Sequence, residues 1–332
     1  MLKLSKLPHL VALFAIFVSV KAWGRDGHAL VADLAQTLLT FEAATFVKLH
    51  LPLEANGNMS NVSVWADNIL YANTEPNYLN WRWSAPLHYV NTKDFSCVYD
   101  RQTDCDWAST RGCVDGAIQN YTTRLGDKQL DETQLEEALK FIIHFIADVH
   151  QPLHGGFASD LGGNSIRGDF FGQTVNLHSL WDTTMIQRKI NTKFQSQRSL
   201  YLNYLIDQMN GRFGSNISDW SQCSSTNDTR YLACSSIWIQ EDAELCCKIV
   251  YLDENGDWIT AATGFNITEE YYNTRMESVE LRLIQGGVRL ANVINRIVHL
   301  INQTDGTNDT QTLSAASLPL IAFILICFVF FN

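Results

Sequence analysis

The chain has 332 residues, of which 46% are apolar, so it is long enough to bury a core as one large domain or two smaller ones. Its net charge of −11 excludes a protein that grips nucleic acid through a broad basic surface. Any affinity for phosphate must therefore be local, and bound metal ions are one way to supply it.

The first residues have the layout of a secretory signal peptide. Lys3 and Lys6 form a short basic region, an apolar run follows, and a small-residue cleavage site ends at Ala22. The apolar run is too short to span a bilayer, which makes a membrane anchor the weaker alternative. We predict that residues 1–22 are removed and that Trp23 begins the mature chain.

Apolar side chains at helical spacing predict three helices, over residues 28–39, 133–149 and 274–301. The second is the clearest of the three, and Pro152 ends it. The third contains Gly286-Gly287, where we expect a bend. Loops rich in Trp and Asn separate these helices. The pattern predicts a mostly α-helical, disulfide-linked single domain over residues 23–303.

Seven of the eight cysteines precede the C-terminal tail, as is typical of a protein from an oxidising compartment. Local spacing suggests two pairs, Cys105–Cys113 and Cys223–Cys234. Cys97 is then left to join one of two adjacent cysteines, Cys246 or Cys247. We adopt Cys247 as its partner, which leaves Cys246 unpaired.

Eight Asn-x-Ser/Thr sequons on a chain with a signal peptide indicate a glycoprotein that is secreted or attached to the outer cell surface. Seven of them lie in the predicted domain and are expected to carry glycans: Asn58, Asn61, Asn120, Asn216, Asn227, Asn266 and Asn302. The eighth, Asn308, lies in the spacer that follows.

Residues 304–332 form a second candidate targeting segment, a polar spacer followed by a hydrophobic tail. The chain is almost wholly apolar from Leu318 to Phe331, and only Asn332 follows. The tail is short for a spanning helix, and no basic residue follows it. Small polar residues before such a tail are typical of a lipid-anchor signal. We expect an anchor signal or a removed propeptide, with a true membrane span as the alternative.

Two histidine–carboxylate pairs share one spacing. His144 and Asp148 stand four residues apart on the second predicted helix, and His178 and Asp182 repeat that spacing. Side chains at i and i+4 leave the same face of a helix, so an imidazole and a carboxylate can share a metal ion. For one such pair alone, a water-facing polar helix face is an equal alternative. Two pairs, with His154 just beyond the first, favour metal binding.

Nine histidines occur, so the choice among them must be explicit. We interpret His9 as part of the signal, His50 and His299 as surface residues, and His150 as structural. The candidate ligands are then His28, His88, His144, His154 and His178, with Asp67, Asp148 and Asp182. The free α-amine and carbonyl of Trp23 can chelate the same ion as His28. Nitrogen and carboxylate ligands without thiolate are typical of catalytic zinc.

Six motifs now carry a resemblance: WGRDGH, WADN, SAPLHYVN, HFIADVHQPLH, GGN and NLHSLWD, in this order. Over residues 23–301 the chain resembles the single-strand-specific zinc nucleases of fungi and plants, the family of nucleases S-one and P-one. GCVDGAIQNYTT and RMESVELRLIQGGVRLANVINRI make it similar to the plant branch. The resemblance implies a largely helical fold shared with zinc-dependent phospholipases C.

The resemblance also implies three zinc ions per chain. One would be held by Asp67, His88, His144 and Asp148. A second would be held by Trp23 and His28, with Asp148 as the bridge to the first. The third would be held by His154, His178 and Asp182.

The activity implied by the resemblance is hydrolysis of single-stranded DNA and RNA to products with 5′-phosphates, together with 3′-nucleotidase activity. The nucleophile would be a hydroxide that bridges two zinc ions, and Asp67 would also be catalytic by positioning it. A base would stack on Tyr89, beside the polar and glycine residues Asn91, Gly162, Gly163 and Asn164. We expect a monomer.

Two positions depart from the family pattern. Leu70 stands where many members have a basic residue, so Arg82 or another cation must substitute, or the rate is lower. Asn91 stands where some fungal members have Asp, which alters the hydrogen bonds offered to a base. Two alternatives to a nuclease remain: a zinc phospholipase C-like phosphodiesterase, and a catalytically inactive secreted binding glycoprotein. The short gap from Trp23 to His28 and the final acid Asp182 favour the nuclease over the phospholipase.

Overall fold

The computed structural model describes residues 23–71, 81–105, 112–222 and 232–315 of the chain. Within these ranges, the α-helices of seven residues or more are α1 (Arg25–Gln36), α2 (Phe41–His50), α3 (Trp65–Tyr71), α4 (Val114–Leu125), α5 (Glu132–Asp148), α6 (Met185–Lys193), α7 (Arg198–Asn210), α8 (Ser235–Leu245) and α9 (Glu269–Ala315).

Segments of 3₁₀ helix, π-helix and short α-helix connect these α-helices. The 3₁₀ turns are Leu53–Ala55, Met59–Asn61, Arg82–His88, Pro152–Gly155 and Gly214–Asn216. The short α-helical turns are Arg101–Asp104, Leu177–Ser179 and Ile217–Trp220, and the π-helical turns are Leu180–Thr184 and Cys246–Val250.

Three short strands form a small sheet in the order β2–β1–β3, with β1 at Arg167–Phe170, β2 at Gln173–Asn176 and β3 at Phe265–Ile267. The strand β1 pairs antiparallel with β2 and parallel with β3. Because β2 ends at Asn176, the sheet fixes where the next turn begins. The Asn176 side chain accepts a hydrogen bond from the Ser179 N–H at 2.6 Å, which caps the turn that carries His178.

The centre of the core is the packing of α1 against α5 and α9. Gly287 of α9 lies so close to α1 that an added Cβ would stand 2.5 Å from the Leu34 side chain. The neighbouring Gly286 faces Val31, where an added Cβ would be 3.3 Å away. The glycine pair therefore permits a close helix crossing, and α9 runs through it without interruption.

The fold class predicted from the sequence is confirmed: the described chain is mostly helical and forms a single disulfide-linked domain. The three predicted helices are present as α1, α5 and α9. The last helix begins earlier and ends later than expected, because it starts at Glu269 and continues to Ala315, past the predicted domain end at 303.

Two disulfides lie in the described residues, Cys97–Cys247 and Cys105–Cys113. Cys246 is buried, and its thiol donates to the Pro152 carbonyl oxygen at 3.1 Å. Cys223 lies outside the described residues, so its predicted bond to Cys234 stays a prediction.

Six of the predicted glycosylation sites have exposed asparagines, at Asn58, Asn61, Asn120, Asn216, Asn266 and Asn302. Asn227 lies outside the described residues, as do the predicted signal and the hydrophobic tail. In the part of the chain that the structure covers, no helix is both long enough and apolar enough to cross a membrane.

Candidate metal centre

The last turn of α5 presents the first histidine–carboxylate pair inside the protein. The helix begins at the N-cap Asp131, whose carboxylate accepts from the Gln134 N–H at 2.9 Å, and its apolar stripe packs into the core. His144 and Asp148 are both fully buried. The Nδ1 atom of His144 lies 2.7 Å from the Ser63 carbonyl oxygen. Because a carbonyl oxygen only accepts, Nδ1 carries the proton and Nε2 keeps its lone pair for a metal.

Four donor atoms meet at this place, and Nε2 of His144 is one of them. His88 Nδ1 lies 3.0 Å from it, Asp148 Oδ2 3.2 Å and Asp67 Oδ1 3.6 Å. Among the same atoms, His88 Nδ1 lies 3.1 Å from Asp148 Oδ2 and 3.6 Å from Asp67 Oδ1. A tetrahedral ion with bonds of about 2.0–2.2 Å needs donors about 3.3–3.6 Å apart. Three of the measured distances, 3.0, 3.1 and 3.2 Å, are slightly shorter than this spacing, so the four donors would hold one small tetrahedral cation after moving apart by about 0.1–0.3 Å.

The second carboxylate oxygen of Asp148 faces another histidine. Its Oδ1 lies 3.3 Å from His28 Nε2 and 3.8 Å from His154 Nδ1. The His28 and His144 rings stack with centroids 4.0 Å apart. Among the described residues, neither ring nitrogen of His28 has a hydrogen-bond partner. An unpaired buried imidazole beside a buried carboxylate is explained if a cation lies between them.

The third group joins the turn after α5 to the turn after β2. His154, His178 and Asp182 place one donor atom each within 4.8 Å of one another, and His178 Nε2 lies 3.2 Å from Asp182 Oδ2. Backbone carbonyls again hold the Nδ1 side of each ring: His88 O is 2.8 Å from His154 Nδ1, and Gly162 O is 2.6 Å from His178 Nδ1. Both Nε2 atoms are left as metal donors.

Gln151 holds the carboxylate of this third group, and the sequence did not indicate it. Its side-chain amide donates to Asp182 and accepts from the Leu153 N–H at 2.6 Å. Asp182 itself lies in a π-helical turn, where one extra residue per turn shifts a side chain relative to an α-helix. The two side chains lie together as the spacing of four indicated, although the backbone between them is not a regular α-helix, and their role as metal ligands stays a prediction.

Burial controls the protonation of the whole cluster. It lowers the pKa of the His28, His88, His144 and His154 side chains, so that these imidazoles are neutral at pH 7. It also raises the pKa of Asp148 to about 8 and that of Asp182 to about 6. Neutral imidazoles and carboxyls that resist ionisation without a counter-charge are the state expected of metal ligands before the metal is bound.

Trp23, the predicted first residue of the mature chain, lies fully buried beside these groups. The amide of the following Gly24 donates to the Asp182 carbonyl oxygen at 2.9 Å. A Cβ on Gly24 would lie 2.2 Å from the Thr183 hydroxyl, so only glycine fits here. Trp23 and Gly24 thus lie between the segments that carry His28 and Asp182.

The predicted base-binding residues lie on two segments that flank His154. Tyr89 and Asn91 are half-buried, and the intervening Val90 N–H donates to the His154 carbonyl oxygen at 2.8 Å. On the other side, a Cβ on Gly156 would meet Gly162 at 2.8 Å. The structure therefore brings the segments 89–91 and 162–164 to the same edge of the third group.

The loop with Gly162 and Gly163 contacts His178 as well as the predicted base pocket. Gly162 and Gly163 have positive φ angles of 62° and 80°, and a Cβ on Gly162 would stand 2.5 Å from the Leu153 carbonyl oxygen. Asn164 donates to the Leu161 carbonyl oxygen at 2.9 Å. The sequence analysis did not single out Leu161, the residue before Gly162. Leu161 also has a left-handed backbone, and its side chain is 50% exposed.

The histidines interpreted as non-ligands stay apart from the three groups. His150 is buried, with Nδ1 2.6 Å from the Ile146 carbonyl oxygen and Nε2 2.9 Å from an Arg289 nitrogen. His50 pairs with Glu132 at 2.9 Å, and His299 is exposed. Leu70 is buried in α3, so this position presents no cation, whereas Arg82 is exposed on the 3₁₀ turn that leads to His88.

Residues 23–299 match the family model described as S1/P1 Nuclease. The chain belongs to the S1/P1 nuclease family. This family member is 35% identical over 282 residues to Endonuclease 3 of Arabidopsis thaliana, covering 83% of the chain and 88% of the relative. It is 33% identical over 279 residues to Nuclease P1 of Penicillium citrinum, with coverages of 83% and 97%. It is 30% identical over 289 residues to Nuclease S1 of Aspergillus oryzae, with coverages of 86% and 95%.

The family resemblance read from the sequence is therefore confirmed, including its plant-like branch, since Arabidopsis endonucleases match at 33–36% identity and the fungal nucleases at 30–33%. The protein is a hydrolase of phosphodiester bonds, an endonuclease whose substrates are nucleic acids. The two alternatives, a phospholipase C-like enzyme and an inactive binding glycoprotein, are not favoured. The structure adds three His/Asp groups that could hold metal ions.

Proposed function

We propose that this nuclease is zinc-dependent, binds three zinc ions, and cuts single-stranded DNA and RNA to leave 5′-phosphates, with 3′-nucleotidase activity on nucleotides. The observation that carries the proposal is the placement of Asp148. One of its oxygens joins the donor tetrahedron of His88 and His144, and the other faces His28. A carboxylate between two such sets supports two close metal ions.

The donor chemistry supports zinc in particular. Every donor in the three groups is an imidazole nitrogen or a carboxylate oxygen, which suits a catalytic zinc site better than a structural thiolate site. The α-amine and carbonyl of Trp23 complete the set that contains His28. When bound, zinc lowers the pKa of a water molecule that attacks phosphorus and offsets the charge that develops on the phosphate oxygens.

The residues of this chain orient that chemistry. Asp67 is the most exposed of the eight side chains, at 8%, so we assign it the positioning of the attacking water from the substrate side. Asp148 has no such access, because it is fully buried and fixed by His88 and His144. A metal ion held by His154, His178 and Asp182 would offset the charge on the leaving oxygen, so that no side chain has to protonate it.

Selection of single strands rests on the base pocket. We propose that a base stacks on Tyr89 and is held at its edge by Asn91 and Asn164, with Gly162 and Gly163 in backbone contact. Duplex bases are already stacked on their neighbours, so they cannot enter without unpairing. The half-buried position of Tyr89 beside His154 supports this arrangement.

The test combines metal analysis with two matched substrates. The purified mature protein should contain about three zinc ions, lose activity on chelation and regain it with zinc. It should cut a single-stranded oligonucleotide and leave a duplex of the same sequence largely intact, and end-labelling should find 5′-phosphates. Metal-free protein with full activity, 3′-phosphate ends or equal rates on both substrates would overturn the proposal.

We further propose that the protein passes through the secretory pathway as a glycosylated monomer, secreted or held at the outer cell surface by a lipid anchor at 304–332. The two disulfides and the exposed sequon asparagines support this route. Mass spectrometry of the natural product tests it by locating the first residue, the last residue and the glycans. An intact N-terminus at Met1 would contradict it.

A further inference from the structure

A pair of exposed aromatic side chains lies outside the three His/Asp groups and the predicted base pocket. Phe95 is 59% exposed and Trp258 is 38% exposed, and their rings meet edge to face with centroids 5.0 Å apart. Phe157 lies between them and the core, 5.4 Å from Phe95 and 6.0 Å from Trp258, and stacks on Tyr251 at 4.2 Å. We call Phe95, Phe157 and Trp258 the aromatic platform.

The backbone holds Phe95 outward in an unfavourable conformation. Its φ of 56° is left-handed, which is uncommon for a bulky side chain and costs about 1–2 kcal/mol. Its neighbours keep it there: the Ser96 N–H donates to the Lys93 carbonyl oxygen at 3.0 Å, and the Asp94 carboxylate accepts from the Ser159 N–H at 3.0 Å. A strained residue that presents a ring to solvent indicates a binding role for that ring.

The platform is tied directly to the third His/Asp group. The Thr92 N–H donates to the Gly156 carbonyl oxygen at 2.9 Å, and the Ala158 N–H donates back to Thr92 at 3.0 Å. The Thr92 hydroxyl also donates to the Gly155 carbonyl oxygen at 3.0 Å. These bonds join the segment that runs from Tyr89 to Phe95 with the segment that follows His154. Phe157 stands three residues after His154, so their Cα atoms are within about 11 Å, roughly the span of three stacked nucleotides.

The charges around the platform select what it can bind. Asp94, Asp253 and Asp257 lie in the two loops that carry its exposed rings, so this surface disfavours a densely charged anionic partner such as an anionic membrane. The π-face of a nucleobase carries no charge and stacks on aromatic rings regardless of sequence. Lys93 is exposed in the Phe95 loop and can meet the backbone phosphate of a stacked nucleotide.

We propose that Phe95 and Trp258 form a second stacking site, which binds a base of the same single strand a few nucleotides away from the one at the predicted base pocket. This inference rests on the proposed single-strand activity and extends it. It makes the enzyme bind longer strands more tightly than dinucleotides, without any basic surface. Each stacked base contributes about 1–3 kcal/mol to binding in comparable sites, which corresponds to roughly 5- to 150-fold in affinity.

The experiment compares substrate lengths in the mature, zinc-loaded protein. Phe95→Asn removes the ring while asparagine tolerates the left-handed backbone, and Trp258→Ala removes the second ring. Each variant should raise KM for a twelve-residue oligothymidylate by about tenfold, with kcat unchanged. KM for the thymidine dinucleotide and for a 3′-nucleotide should stay as in the native enzyme. Trp258→Phe keeps a ring and should restore most of the affinity.

Phe41→Ala is the matched control, since Phe41 is an aromatic residue that is 82% exposed on α2, outside both segments. It should leave every KM unchanged. A second readout is the affinity for a phosphorothioate oligothymidylate, which should fall in parallel with the KM change. An active nuclease whose platform variants keep the native length dependence would overturn the stacking site alone. A native enzyme that cuts no single strand of any length would overturn the proposed function as well.

Discussion

The Nε2 atom of His28 lies 3.3 Å from Oδ1 of Asp148, while the other oxygen of that carboxylate faces His88 and His144. One fully buried side chain thus joins two sets of donors that come from separate segments of the domain sequence. Because a single carboxylate serves both sets, a change at Asp148 should affect two ions at once, whereas a change in the third group should affect one.

Replacement of Asp148 should therefore differ from replacement of Asp182. We expect Asp148→Asn to lose about two zinc ions and to lower activity by on the order of 10³-fold, since metal ions supply several kcal/mol of transition-state stabilisation. Asp182→Asn should lose about one. Elemental analysis of the purified variants, beside circular dichroism to verify folding, measures the difference. Equal losses in the two variants would contradict the bridging role of Asp148.

Metal loading should release a proton in a pH-dependent way. Burial raises the pKa of Asp148 to about 8, so this carboxyl is protonated at pH 7 in the metal-free protein and must ionise to bind a metal. Asp182, with a pKa of about 6, and the neutral buried imidazoles contribute little at that pH. We expect Asp148 to release about one proton at pH 7 and little at pH 9, in addition to the protons that the Trp23 α-amine and a metal-bound water release, and metal affinity should weaken as the pH falls.

Titration calorimetry in buffers of different ionisation enthalpy measures this release. Asp148→Asn cannot release this proton. Because the variant should also bind fewer ions, its proton release is compared per ion bound, and that value should be lower than in the native protein at pH 7. Identical proton release at pH 7 and pH 9 in the native protein would show that another group supplies the proton.

Gly162 should be intolerant of a side chain. Its φ of 62° and the 2.5 Å approach of a Cβ to the Leu153 carbonyl oxygen force the loop to move in Gly162→Ala. The hydrogen bond from His178 Nδ1 to the Gly162 carbonyl oxygen would then break, and the protein should lose about one zinc ion. Gly172→Ala is the control, since its φ is 86° but a Cβ there meets nothing within 4 Å. That variant should lose only about 1–2 kcal/mol of unfolding free energy and keep its metals.

The proposed ligand role of Trp23 depends on where the signal is cut. An extra glycine before Trp23 converts its α-amine into an amide nitrogen, which has no free lone pair for a metal. The extended protein should fold but lose about one zinc and most of its activity. A glycine inserted beside Gly126, in the exposed turn after α4, is the control and should change neither. Full metal content and activity in the extended protein would exclude Trp23 as a ligand.

Much of the candidate site was predictable from the sequence, because the helical repeat is regular. The spacing of His144 and Asp148 places both side chains on one face of α5, whatever the rest of the chain does. The apolar stripe of the same helix predicted burial of the neighbouring face, and only the structure shows that the face with His144 and Asp148 is buried as well. The short separation of Cys105 and Cys113 likewise made their pairing the simplest choice, and the structure contains that bond.

Only the tertiary structure decided which groups hold these side chains in place. The carbonyl oxygens of Ser63, His88 and Gly162 orient three imidazoles, and a backbone carbonyl leaves no mark in a sequence because every residue has one. Ser63 and His144 are 81 residues apart in the chain, yet the Ser63 carbonyl oxygen and His144 Nδ1 lie 2.7 Å apart.

The choice between two adjacent cysteines was also beyond the sequence. Cys246 and Cys247 lie in one π-helical turn, where neighbouring side chains point in different directions. Cys247 reaches Cys97, whereas the Cys246 thiol turns inward to the Pro152 carbonyl oxygen. Local periodicity determined which residues share a face, since it depends only on bonded geometry. Which distant segment meets that face depends on how the whole core packs, and that is decided only when the chain has folded.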